Sequence, residues 1–144
     1  VLIRFCIAAP LLVLFTWLAA PESLFRFPLE MTRLWLGVMF LYPILSVWPQ
    51  EIIYRSFLSQ RYNGLIAHKY GALALSALAF GFVHILFENS VALILSTLGG
   101  FLFARTYEQT KSLALVCFEH ALYGCLIFTV GLGMYFYSGA NWSH

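Results

Sequence analysis

The sequence predicts an all-α protein, a polytopic bundle of about five membrane-spanning helices. Three observations carry that expectation. Of the 144 residues, 62% are hydrophobic and only 10% are charged, against about a quarter charged in a soluble domain, so a water-facing surface could not be covered. The mean hydropathy is +0.85, and the apolar residues fall into helix-length runs parted by short polar breaks. Charged residues gather mostly at the ends of those runs, as membrane topology demands. At this length one domain is expected. The formal net charge of +2, with no basic run, offers no footprint for nucleic acid.

Residues 3–20 form the first apolar run, interrupted by Arg4 near its start and by Pro10. It reads as a spanning helix rather than a signal peptide, since no soluble domain follows for a signal to export. From Pro21 to Arg33 the chain is too polar to span. Phe25, Phe27 and Leu29 alternate there with Arg26, Pro28 and Glu30, which suits an interfacial segment or a loop. Residues 34–60 make one long helical pattern, which Pro43 and Pro49 should kink because each removes an intrahelical bond.

Residues 61–70, with Arg61, Asn63-Gly64, His68 and Lys69, read as a loop before a third span over 71–87. Glu88-Asn89-Ser90 is a tight connection to a fourth span, 91–106, on which Gly99, Gly100 and Ala104 offer a small-residue packing face. Tyr107 to Lys111 reads as a short polar turn. The last span covers 112–136, and Tyr135, Tyr137 and Trp142 close the chain as an interfacial aromatic cluster. The organisation expected is therefore an accessory first helix and interfacial segment over 1–33, followed by a core over 34–144.

Counting Lys and Arg orients the bundle. Arg4, Arg61, Lys69, Arg105 and Lys111 collect on one side and only Arg26 and Arg33 on the other, which puts the first group in the cytoplasm. The three cysteines, Cys6, Cys117 and Cys125, all lie in apolar runs without metal-ligand spacing. They read as small packing residues.

Ionisable groups inside apolar runs are costly and tend to be functional. Glu51 and Arg55 stand one helical turn apart in the stretch Trp48-Pro49-Gln50-Glu51-Ile52-Ile53-Tyr54-Arg55, and His84 and His120 lie deep in later runs. Glu51 is ten residues from Arg61, or about 15 Å at 1.5 Å per residue. His120 is nine residues from Lys111, about 14 Å, and His84 is fifteen from Lys69, about 22 Å before any tilt. Three groups on three helices thus reach similar depths, as a shared site requires. Each also has a plainer reading. Glu51 and Arg55 suit a structural ion pair, and a membrane histidine suits an interhelical hydrogen bond. Glu119 points about 100° away from His120 on its helix, towards the site, Arg55 or another buried donor. Glu88 reads as interfacial, and His68 and His144 carry no functional reading.

The ordered motifs resemble those of the CPBP family of intramembrane proteases, the CAAX-processing and bacteriocin-processing enzymes also called the Abi family. That family carries Glu-Glu-x-x-x-Arg, Phe-x-x-x-His and His-x-x-x-Asn/Asp on separate helices. Here they read Gln50-Glu51-Ile52-Ile53-Tyr54-Arg55, Phe80-Gly81-Phe82-Val83-His84 and His120-Ala121-Leu122-Tyr123-Gly124, with order and spacing matching over about residues 34–136. The resemblance carries Glu51, His84 and His120 across as catalytic residues and Arg55 as their support. Two positions depart from the pattern. The family's first glutamate, credited with activating water, stands here as Gln50, which cannot act as a base. Its final Asn/Asp, which helps to bind the oxyanion, stands here as Gly124.

The resemblance implies an intramembrane endopeptidase acting on a membrane-anchored peptide or protein in the lipid bilayer, with a bacterial cytoplasmic membrane as the expected setting. In the expected mechanism Glu51 deprotonates a water held jointly with His84. His120 donates to the oxyanion, with help from the Gln50 amide, and Arg55 holds Glu51 in place. Glu119 is the other candidate base. No cofactor is implied by the resemblance, although one carboxylate and two histidines also make a zinc ligand set; the H-E-x-x-H spacing is absent. Gln50 and Gly124 motivate a different class, a catalytically inactive membrane scaffold that binds a partner protein. A transporter fits poorly, with no inverted repeat and too few spans.

Overall fold

The computed structural model describes residues 1–61 and 69–137. Every regular element among them is helical. Four stretches are long and apolar enough to cross a membrane, Leu2–Ala19, Thr32–Phe57, Ser90–Thr110 and Leu113–Val130, and a shorter apolar helix covers Gly71–Phe87. The protein is an integral membrane protein with the all-α bundle expected. The Asn63-Gly64 and His68 portion of the expected loop, together with Trp142 and His144 of the tail, lies outside the described residues.

Helix α1 covers Leu2–Ala19 and keeps Pro10 within it. The expected interfacial stretch is not a plain loop. It folds into a 3₁₀ turn, Pro21–Ser23, and a short helix α2, Arg26–Glu30, with an Arg26–Glu30 ion pair of 2.8 Å on its exposed face. Helix α3 runs unbroken over residues 32–61. The two prolines do not interrupt it. It widens into π-turns at Pro43–Val47 and Ile52–Phe57, on either side of a tight segment Trp48–Glu51. A proline removes a donor from the ladder, and a π-turn lets neighbouring carbonyls find other partners.

Helix α4, Lys69–Val83, ends in a 3₁₀ turn over His84–Phe87. Helix α5, Ser90–Thr110, is capped by Asn89, whose side chain accepts from the Ala92 N–H at 2.8 Å. It continues one turn beyond the expected end. The stretch read as a polar turn stays helical, held by Thr110 Oγ1 donating to the Thr106 carbonyl and by a Lys111–Glu108 pair at 2.8 Å. Ser112 caps helix α6, Leu113–Val130, by accepting from Leu115 N–H. Gly131, at φ 99°, terminates it, and a last 3₁₀ turn covers Leu132–Phe136.

The bundle is apolar on its outer surface, and its interior sets buried polar residues beside an apolar core of Phe80, Phe103, Val116 and Tyr123. Large residues such as Ile3, Leu18, Phe40, Leu45, Phe82 and Leu86 are exposed, while Glu51, Arg55, Glu119 and His120 are buried. The expected small-residue face does pack. A Cβ on Gly100 would stand 3.0 Å from the Ala77 carbonyl oxygen, so α4 and α5 approach backbone to backbone. Asn89 closes the far end by donating to both the Phe87 and the Tyr135 carbonyls, at 2.9 and 2.8 Å. The turn that carries His84 is thereby tied to the one that follows α6.

Candidate active site

The π-turns of α3 bracket Glu51 and turn it wholly inward, with 0% of its surface exposed. Its two oxygens have separate partners. Oε2 lies 3.1 Å from Arg55 Nε, and Oε1 accepts from His120 Nδ1 at 2.7 Å. Arg55 in turn spans three helices: it donates to Ser76 Oγ on α4 at 2.6 Å and to the Gly100 carbonyl on α5 at 3.2 Å. Its guanidinium sits 5.3 Å from the centre of the Phe80 ring, a cation–π contact that helps to offset lost hydration. A charge buried this deeply persists only where paired and hydrogen-bonded, and here both conditions hold.

His120 comes from the middle of α6. A carboxylate only accepts, so its Nδ1 carries the proton and Nε2 is left to meet the Tyr42 hydroxyl at 3.0 Å. Phe103 stacks on the imidazole at a centroid distance of 4.5 Å and an angle of 19°. The ring is thus held at both nitrogens and on one face. Arg55, Glu51, His120 and Tyr42 form a continuous polar chain across the bundle.

His84 opens the 3₁₀ turn at the end of α4. Its Nδ1 donates 2.8 Å to the Phe80 carbonyl one turn earlier, which assigns the lone pair to Nε2. The Phe80 ring lies between the two histidines, 4.9 Å from His84 and 5.4 Å from His120 by centroids. Both histidines line a cavity of about 380 Å³, together with Tyr42, Ser46, Gln50 and Gly124. Its remaining wall is largely apolar, including Leu12 of α1 and Leu98 of α5. Gln50 uses its amide to donate to Ser46 Oγ at 2.7 Å, and its carbonyl oxygen is buried with no hydrogen-bond partner among the described residues.

The structure brings Glu51 and His120 into contact, while His84 shares the cavity with His120. Glu51 contacts His120 rather than His84, and it does not line the cavity. Glu119 also faces away from the cavity. It pairs with Arg4 of α1 at 3.0 Å, and Arg4 donates a 2.6 Å bond to Thr106 of α5. Of the fates open to Glu119 in the sequence, the one found is another buried donor, Arg4 rather than Arg55. Among the described residues no group of three or more His, Cys, Asp and Glu side chains is arranged to hold a metal ion, and Cys6, Cys117 and Cys125 are free thiols.

Sequence reasoning missed Tyr42 and the Arg4–Glu119 clasp. Tyr42 sits in an apolar run where an aromatic residue passes for lipid contact. Its available signal was spacing: Tyr42, Ser46 and Gln50 stand at i, i+4 and i+8, a polar stripe on an apolar helix.

No curated protein and no solved structure matches the chain. A family model does, described as Type II CAAX prenyl endopeptidase Rce1-like, over residues 32–126. That span contains Gln50, Glu51, Arg55, His84 and His120, and it covers well over half of the sequence. The chain belongs to the Rce1-like family of type II CAAX prenyl endopeptidases.

Proposed function

We propose that the protein is an intramembrane endopeptidase that hydrolyses a peptide bond in a membrane-anchored peptide or protein, with His84 as the group that activates water. The observation that supports it is the lone pair of His84 at the wall of a cavity set inside an apolar bundle. A neutral imidazole with its other nitrogen tied to a carbonyl is a competent general base. Gln50 supplies a second acceptor through its unpartnered carbonyl oxygen. A water placed between the two would direct one hydrogen to each and a lone pair to the substrate. Gln50 so takes an orienting part where a glutamate would take a basic one.

Glu51 acts one residue behind the reaction. Both of its oxygens are engaged, by Arg55 and by His120, so it is a positioning residue that holds the His120 tautomer. The substrate carbonyl lies towards His120 and Tyr42. Water adds to the carbonyl carbon, its proton passes to His84 Nε2, and that proton leaves with the amine when the C–N bond breaks. The apolar remainder of the cavity suits a membrane-embedded substrate segment, and a bacterial cytoplasmic membrane is the setting we favour. No step in this scheme requires a metal.

The test compares membrane-protein termini by mass spectrometry in cells carrying the parent or His84→Ala, at equal accumulation. New termini formed only with the parent are expected, and they identify the substrate. Identical termini would refute the reading and favour a non-catalytic membrane scaffold.

A further inference from the structure

Three polar side chains of α3, Tyr42, Ser46 and Gln50, line the cavity along one helical face. Neighbouring positions of the same helix, Phe40, Leu41, Ile44, Leu45 and Trp48, are exposed and apolar. Gln50 donates its amide to Ser46 Oγ. Tyr42 instead reaches across to α6, where its hydroxyl meets His120 Nε2. Its ring is seated on two sides. One contact is the Phe128 ring, at a centroid distance of 5.4 Å and 69°. The other is the Gly124 backbone, where any Cβ would collide with the phenol carbons and the hydroxyl. Gly124 lies one turn beyond His120 on α6. A glycine inside a helix is destabilising relative to alanine, and here it opens the notch that admits the ring.

We propose that Tyr42 is a catalytic residue of this site: its hydroxyl, seated over Gly124 beside His120, donates the hydrogen bond that stabilises the oxyanion formed from the substrate carbonyl. The inference rests on the endopeptidase reading given above. Glu51 accepts from His120 Nδ1–H, so Nε2 is an acceptor and the phenol is the donor of their pair. A carbonyl oxygen entering beside His120 takes over that O–H by rotation about the phenol C–O bond. The proton stays on the phenol throughout. As the water oxygen bonds to the carbonyl carbon, the C=O π pair moves onto oxygen and the water's proton goes to His84 Nε2. The phenol O–H then faces the new negative charge. Collapse restores the carbonyl, breaks the C–N bond and releases the amine with the proton from His84. One water is consumed, and no oxidant or reductant is needed.

Tyr42→Phe keeps the ring against Phe128 and Gly124 and removes only the hydroxyl. Pulse-chase of a His84-dependent terminus, in cells carrying the parent, His84→Ala or Tyr42→Phe at equal accumulation, reads the rate. A loss of about 10²–10³-fold is expected, the usual effect of removing one oxyanion donor. A rate within threefold of the parent overturns the assignment. Incorporating 3-fluorotyrosine at position 42 adds a readout that packing would not move. It keeps the ring and hydroxyl but makes the O–H a stronger donor, so the rate should rise, and an unchanged rate also overturns the assignment. This second measurement decides the matter if Tyr42→Phe does not accumulate. Absence of any His84-dependent terminus would overturn the endopeptidase reading itself. Normal His84 dependence with a parental Tyr42→Phe rate would remove Tyr42 alone.

Discussion

His120, on the cavity wall, donates its Nδ1 proton across 2.7 Å to Glu51, which lies behind that wall. That single contact divides the buried polar residues into two groups. Glu51 and Arg55 form a charged anchor between helices, while His84, His120, Tyr42 and Gln50 face the space a substrate could enter. Stability and turnover should therefore respond differently to substitution in the two groups.

Glu51→Gln leaves Arg55 as an uncompensated buried cation, and breaking such a pair costs about 3–5 kcal/mol. A large fall in thermal midpoint in detergent is expected, with turnover lost as His120 loses its orientation. Replacing both partners, Glu51→Gln with Arg55→Met, should recover much of the stability but none of the activity. A double variant as unstable as the single one would show that Arg55 matters through its bonds to Ser76 and Gly100 rather than through charge.

His84 should behave in the opposite way. Among the described residues its one hydrogen bond is to the carbonyl of Phe80 on its own helix, so His84→Ala removes no hydrogen bond between the described helices. Its thermal midpoint should stay within a few degrees of the parent's while turnover disappears. Functional polar residues often cost stability rather than supply it. A collapse in stability comparable to that of Glu51→Gln would count against the separation of roles.

The Arg4–Glu119 clasp predicts an asymmetry. Arg4 is about one-third exposed and Glu119 not at all. Arg4→Met strands a carboxylate in the interior, at a cost of several kcal/mol. Glu119→Gln leaves Arg4 able to reach water and Thr106, and should cost less than half as much. Denaturation of the two variants in the same detergent compares them directly, and equal losses would contradict the difference in burial.

Chelation offers a separate check. Both nitrogens of His120 are engaged, which leaves His84 without a free histidine partner for a metal ion among the described residues. Turnover in purified membranes should persist in 1,10-phenanthroline, and its loss with recovery on added zinc would require a rearranged site.

Much of the architecture is legible in the chain because its causes are local. Apolar runs of spanning length declare the helices, and the cost of charge in lipid singles out Glu51, Arg55, His84 and His120. Rise per residue placed Glu51 and His120 at matching depth, and in the structure they touch. Depth along a helix is a count of residues, and a sequence contains that count.

Pairing depends on something else, the rotation of each helix about its axis. Each residue turns an α-helix by about 100°, and the π-turns at Pro43–Val47 and Ile52–Phe57 change that angle on both sides of Glu51. A regular 3.6-residue period could therefore not say that Glu51 meets His120 rather than His84. Nor could it say that Glu119 faces α1, where Arg4 reads in the sequence as an end-of-helix anchor. Gly124 was legible only as a missing side chain. Its meaning came from another helix, because the space left by an absent Cβ is defined by whatever fills it, and the ring that fills it is Tyr42. The sequence by itself determined a membrane bundle with buried charge. The tertiary structure decided which of those groups support one another and which face the cavity.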